Sequence, residues 1–104
     1  MGQLFFKKHL QDAIRGGRKS TTIRRWNRPQ VCAGKRAYAL GLGWLNIECV
    51  EPVELEQLAD ADAQADGFET IETLRTVLFA LYPDHATDGK RWFRVRFSVA
   101  PQGR

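Results

Sequence analysis

Residues 91–99, RWFRVRFSV, alternate without interruption: Phe93, Val95, Phe97 and Val99 fall on one side, Trp92, Arg94, Arg96 and Ser98 on the other. A period of two sustained this long predicts a β-strand with one apolar face. Such a strand is stable only beside others, so the chain has to build a sheet and cover one side of it. "KRAYAL" and "WLNIECVEPVEL" read as two partners joined around the Gly41-Leu42-Gly43 turn. In the second, Leu45 and Ile47 alternate with Asn46 and Glu48, and Pro52 marks an edge, bulge or bend. A further extended segment, rich in Thr and Ile, is expected over 19–25.

Two stretches follow the helical period instead. Over 3–15, Phe6, Leu10, Ala13 and Ile14 share one face, and Gly16-Gly17 supplies a left-handed stop. Over 70–82, Leu74, Val77, Leu78 and Leu81 fit the i, i+3, i+4, i+7 template, with Pro83 closing the helix. Between the two, Asp60 is expected to cap a short acidic turn that stops at Gly67. Two helices and about five strands in mixed order are not the strict βαβ alternation of a parallel sheet. The expected fold is therefore α+β, one domain over 1–104. Its sheet is expected to curl into a small mixed β-barrel of about five or six strands, because strands of this length cover two helices poorly when flat.

A chain of 104 residues, 43% hydrophobic, can bury one core without staples. No apolar run approaches the roughly 20 residues of a membrane span, and "MGQLFFKKHLQ" turns to charge too early for a secretory signal. Cys32 and Cys49 lack the close Cys or His pairing of a metal site, and His9 and His85 bring no partners. No metal and no cofactor are expected, and the thiols read as the reduced thiols of a cytosolic protein. The net charge of +4 matters less than its distribution. Residues 48–72 hold nine of the twelve carboxylates and no Lys or Arg, while ten of the sixteen cations lie in residues 1–36. A fold that keeps these apart presents a basic face to polyanions.

The densest part of that basic half is "GRKSTTIRRW". Arg18, Lys19, Arg24 and Arg25 sit there with Ser20, Thr21, Thr22 and Trp26. A lysine, a hydroxyl three residues on and an arginine two beyond form a compact set for phosphate contact or catalysis. As a binding surface, Arg24 grips a phosphate bidentately, Lys19 supplies a point charge and Thr22 a hydroxyl. Trp26 either stacks on an unpaired base or packs on the barrel. Arg94, Arg96 and Trp92 either extend the platform or, for the two arginines, pair with the acidic stretch 48–72. Arg25 and Arg28 read best as solvated charge, Tyr82 as a core or hinge residue, and His85 as an exposed loop imidazole. Gly41 and Gly43 make a turn, not a dinucleotide fingerprint, since the third glycine and the following helix are missing.

Nearly end to end, the chain resembles the ASCH domain family, which is PUA-like. The resemblance rests on the opening helix, Gly17-Arg18-Lys19 running into Thr22-Ile23-Arg24, and the Gly34-Lys35-Arg36 strand start. It extends through "DADAQADGF", the helix ending Leu81-Tyr82-Pro83, and the closing aromatic strand to Phe97. The resemblance implies a cleft on the barrel, lined by the Lys and Arg of the motif, that accepts RNA or another nucleic acid. One similar bacterial branch is an amidohydrolase of N4-acetylcytidine, whose lysine, threonine and glutamate carry over to Lys19, Thr22 and Asp66. Aspartate for glutamate departs from that pattern and, on a fixed backbone, leaves the carboxylate short of its partner. Restoring a glutamate at 66 is then expected to raise activity.

Three functions stand open from the sequence. The first is nucleic-acid binding, with RNA the expected partner and single-stranded DNA a further one, through Arg18, Lys19, Thr22, Arg24, Arg25, Trp26, Arg94 and Arg96. The second is metal-free deacylation of a modified nucleoside by Lys19, Thr22 and Asp66. The third is an accessory module recruited by another protein through the acidic face. No membrane partner is expected, and the oligomeric state is not legible.

Overall fold

A computed structural model describes residues 2–101. The chain order is β1 (Gly2–Gln3), α1 (Lys8–Arg15), β2 (Thr21–Trp26), β3 (Arg36–Ala39) and β4 (Gly43–Pro52), then a 3-10 turn (Leu55–Gln57), α2 (Asp60–Ala65), α3 (Ile71–Leu81) and β5 (Arg91–Val99). The sheet order is β1-β3-β4-β5-β2, with β1 and β3 parallel and every other pair antiparallel. The α+β class, the five-stranded mixed sheet and the two main helices match the sequence pattern, and the sheet curls into a half-barrel. One cause of the curl is visible in the register. Ile47 pairs with Phe97 and Cys49 with Arg96, so Glu48 is an extra residue that bends the long strand β4.

The first helix begins later than the periodicity suggested. Leu4 is fully buried and donates its N–H to the Tyr38 carbonyl, continuing the β1–β3 pairing, so residues 2–6 are extended and α1 starts at Lys8. Its end is a Schellman motif. The N–H of Gly17, at φ +78°, bonds the Ile14 carbonyl and that of Arg18 bonds the Ala13 carbonyl. Asp60 does not cap its own turn. Asp62 accepts from the Ala59 N–H at 2.8 Å, while Asp60 reaches forward to accept from the Ile71 N–H at 2.8 Å, at the start of α3, whose N-cap is Thr70.

Two apolar clusters hold the molecule. One lies inside the half-barrel, centred on Leu4, Ile14, Leu45, Ile47, Val95 and Phe97; the other, under α3, joins Ile23, Leu55, Ala63, Leu74, Leu78 and Trp92. Strand β2 separates them by alternation. Ile23 and Arg25 face the α3 cluster, the latter with its guanidinium 4.6 Å from the Trp92 ring centre. Arg24 and Trp26 face the barrel side, where Arg24 lies 5.0 Å from the Phe6 ring centre and Trp26 packs on that cluster. Trp92 is thus a core residue, not part of an exposed platform with the arginines. No helix of the described residues is long and apolar enough to cross a membrane.

Candidate functional site

Not all of the helical apolar residues reach a core. In α1 the buried ones are Ala13 and Ile14, and in α3 they are Ile71, Leu74 and Leu78. Leu10 with Phe6 before it, and Val77 with Leu81, instead line one cavity of about 570 Å³ between α1, β2 and α3. Phe5, at 65% exposure, and Leu81, at 51%, stand open on its wall. The wall is thus an apolar surface partly open to water.

The polar floor comes from one β-bridge. Lys19 pairs with Asp66 across the backbone, and the Ser20 N–H donates to the Ala65 carbonyl at 2.8 Å. Both residues are 3% exposed, with Lys19 Nζ 3.3 Å from Asp66 Oδ2. Nζ also donates to the carbonyls of Thr21 at 2.8 Å and Asp66 at 2.7 Å. Asp66 therefore reaches its lysine, which corrects the expectation that the shorter acid falls short: the bridge brings the two backbones together and removes the missing methylene's length. Asp66 Oδ1 accepts from Thr21 Oγ1 at 2.8 Å. Both carboxylate oxygens are engaged at the aspartate's reach, so the longer glutamate has to shift them off these partners and is expected not to raise activity.

Burial pushes the Lys19 ammonium below the usual lysine range; Asp66 opposes this and Arg24 adds to it. Burial likewise pushes the Asp66 carboxyl above the usual carboxylate range, against the pull of Lys19 and the Thr21 hydroxyl. Both shifts favour the uncharged members of the pair. Arg24, lowered by burial, starts so high that it stays charged. Its Nε donates to Thr22 Oγ1 at 3.0 Å and Nη2 to the Phe5 carbonyl at 2.8 Å, and it has no carboxylate bonded to it among the described residues.

Gly67 closes the floor. It takes φ +95° just past Asp66, the C-cap of α2, and a Cβ there would touch the Lys19 side chain at 3.5 Å. The "GF" pair of the sequence is thus a backbone requirement beneath the lysine. Gly67→Ala is expected to cost about 1–2 kcal/mol from the left-handed conformation, read as a lower midpoint in urea with an unchanged slope.

Of the residues singled out in the sequence, the structure gathers Lys19, Thr22, Arg24 and Asp66 in this cavity. Arg25 is not solvated charge: it ion-pairs Asp88 at 3.1 Å and bonds the His85 carbonyl, and it holds the Asp88 carboxyl below its ordinary range. Arg94 binds Glu51 at 2.9 Å and Asp62 at 2.8 Å, the pairing with the acidic stretch, and lies away from the cavity. Arg96 and Arg18 are exposed outside it, and Trp26 packs 6.1 Å from Phe93. His85 is part-buried, stacked on Phe79 at 4.3 Å, with Nδ1 2.9 Å from the Tyr82 carbonyl. Tyr82 lines the cavity and meets Trp92 edge-on.

The sequence reading passed over Thr21, which holds the acid, and Phe5, His9 and Phe68, which line the wall. The signal for the wall was the surplus of large apolar residues around both helices. Among the described residues no group of three or more His, Cys, Asp or Glu gathers to hold a metal; Cys32 is exposed and Cys49 half-buried, both as free thiols.

No family model and no curated protein matches the chain. Solved structures do. The hypothetical protein PH0355 superposes with a TM-score of 0.77 at 14% identity, over 94% of this chain and 97% of that one. Protein EF3133 from Enterococcus faecalis V583, of the family DUF984, gives 0.72 at 16% identity, over 100% of this chain and 84% of that one. An ASCH domain from Lactobacillus crispatus JV V101 gives 0.65 at 14% identity, over 88% and 70%. Identities this low speak for architecture, and the chain has the ASCH, PUA-like fold.

Proposed function

We propose that this protein binds nucleic acid, RNA in the first place, by drawing one unpaired base into the cavity between α1 and α3. One observation carries the reading. A cavity of about 570 Å³ has an aromatic and aliphatic wall, a buried polar floor, and at its side a guanidinium with no carboxylate bonded to it among the described residues. The wall accepts a base by stacking and apolar contact, and Arg24 meets the phosphate or an exocyclic carbonyl. Lys19 is spoken for by Asp66 and two carbonyls, so it shapes the floor while Arg24 does the gripping. Replacing Arg24 with alanine is expected to weaken a labelled single-stranded RNA about tenfold or more, the value of one charge-assisted contact. Fluorescence anisotropy across a salt series measures this. Retained affinity in the variant, or binding indifferent to salt, rejects the assignment.

A second reading, hydrolysis of N4-acetylcytidine, is favoured by the burial of the Lys19–Asp66 pair. When Lys19 gives a proton to Asp66, its free amine can take the Thr22 hydroxyl proton as Thr22 attacks the acetyl carbon. The C–N bond then breaks, cytidine leaves with that proton, and water releases acetate from the threonine ester. Arg24, bonded to the Thr22 hydroxyl, is placed to steady the oxyanion.

A further inference from the structure

Two more hollows adjoin the cavity, and shared walls connect all three. Phe5 lines both the base cavity and a middle hollow of about 440 Å³ bounded by Gly2, Gln3, Gln30 and Tyr38. Gly2 and Gln30 in turn line a third of about 590 Å³, where Lys35, Arg36 and Trp44 stand. The path follows the extended segment 2–6 along the sheet edge, from Phe6 and Arg24 at one end to Lys35 and Arg36 at the strand start of β3.

Chemistry along this path is of one kind. Among the described residues no carboxylate lines either of the added hollows, and Asp66, the acid in the base cavity, is held by Lys19. Lys35 and Arg36 are exposed and form no ion pair among the described residues; the Arg36 Nε donates to the Asn46 side-chain oxygen at 3.3 Å. Aromatic rings recur between the cations: Phe5 open to solvent, then Tyr38 and Trp44, edge-on at 5.4 Å. Rings spaced along an acid-free, cation-ended groove suit a ligand that repeats base and phosphate.

Resting on the nucleic-acid reading above, we infer that this groove holds a single-stranded oligonucleotide. One base sits in the Lys19 cavity, the following nucleotides run along residues 2–5, and a downstream phosphate lies on Lys35 and Arg36 beside Trp44. The ligand is then a strand and not a free nucleotide, with a footprint of about 4 nucleotides, the short end of the range for small β-barrel binders.

The test measures a fluorescein-labelled hexacytidylate, as RNA and as DNA, and cytidine monophosphate as the single-nucleotide probe, against the wild type, Arg24→Ala and the double variant Lys35→Ala/Arg36→Ala. The double variant changes two exposed side chains, and a matching thermal melt verifies its fold. It is expected to bind the hexamer about tenfold more weakly. Its log-affinity against log-salt slope should flatten by about 0.7, the value of the one single-strand phosphate contact it loses. Its affinity for cytidine monophosphate is expected to stay unchanged. Hexamer affinity and slope that survive the double substitution, while Arg24→Ala still weakens binding, overturn the groove and leave the cavity reading standing. A wild type that binds neither probe overturns both. Weakening of the RNA form, the DNA form or both by the double substitution upholds the groove and identifies which strand it accepts.

Discussion

Replacing Lys19 with methionine is expected to cost about 3–5 kcal/mol of stability, the effect of removing one partner from a buried ion pair. For a domain of this size that is a fall of about 12 °C or more in melting temperature. The reason is local. Asp66, at 3% exposure, would keep the Thr21 hydroxyl as its donor, and the Thr21 and Asp66 carbonyls would lose the Nζ protons they accept. The deficit also carries a sign in pH. Burial already holds the Asp66 carboxyl above its ordinary value of 3.8, and without Lys19 to oppose it the pKa rises further. A raised carboxyl keeps its proton in the folded state where the unfolded chain has released it, so stability falls as pH climbs through that window. The variant's deficit therefore shrinks towards pH 4 and is full once the pH exceeds the folded-state value. Adding Asp66→Leu removes the stranded acid and is expected to recover much of the loss. Chemical denaturation at several pH values decides the matter: a single-variant cost below about 1 kcal/mol would mean that the pair is solvated and the sealed floor does not exist.

The elements of this fold were legible because each is written in its own period. RWFRVRFSV became β5 with the same bounds, and Leu74 and Leu78 are buried as their spacing required. Periodicity does not say what covers an apolar residue, and there the reading stopped. Trp92 shares its side of β5 with two arginines in sequence, yet α3 lies over it at one end of the strand and the acidic stretch meets Arg94 farther along. Leu10 and Leu81 looked like core by spacing and line a cavity instead, because α1 and α3 belong to different clusters with a gap between them. Lys19 and Asp66 are 47 residues apart, and only the fold shows that a β-bridge joins their backbones. The same limit hid Thr21. Adjacent threonines on a strand face opposite ways, and no local rule tells which of the two meets an acid that arrives from α2. Gly67 was legible as a stop signal; its position against the Lys19 side chain was not.

Thr22→Val separates the two functions through one atom. The substitution keeps the side chain's shape and removes the oxygen that Arg24 Nε holds at 3.0 Å. If the site cleaves the acetyl amide of N4-acetylcytidine, that oxygen is the nucleophile, and turnover is expected to fall by about 10³-fold or more, as when an acyl-accepting hydroxyl is lost elsewhere. If the site binds strands only, the loss is one hydrogen bond of about 1 kcal/mol, roughly a fivefold weakening, because Arg24 keeps its bond to the Phe5 carbonyl. The wild-type pH–rate profile carries the stronger signature. Lys19 acts as base once its proton sits on Asp66, so the working pair holds one proton. Burial lowers Lys19 and raises Asp66, and the rate is expected to rise from acid pH as the doubly protonated pair loses its first proton and then to level off. Release of cytidine and acetate, followed by chromatography from acid to alkaline pH, measures both. A wild type that yields no product at any pH disposes of amide cleavage and leaves Arg24 and the aromatic wall as a binding site. Product formation that persists in Thr22→Val would place the nucleophile elsewhere, and a water molecule activated by the Lys19–Asp66 pair would then be the group to test.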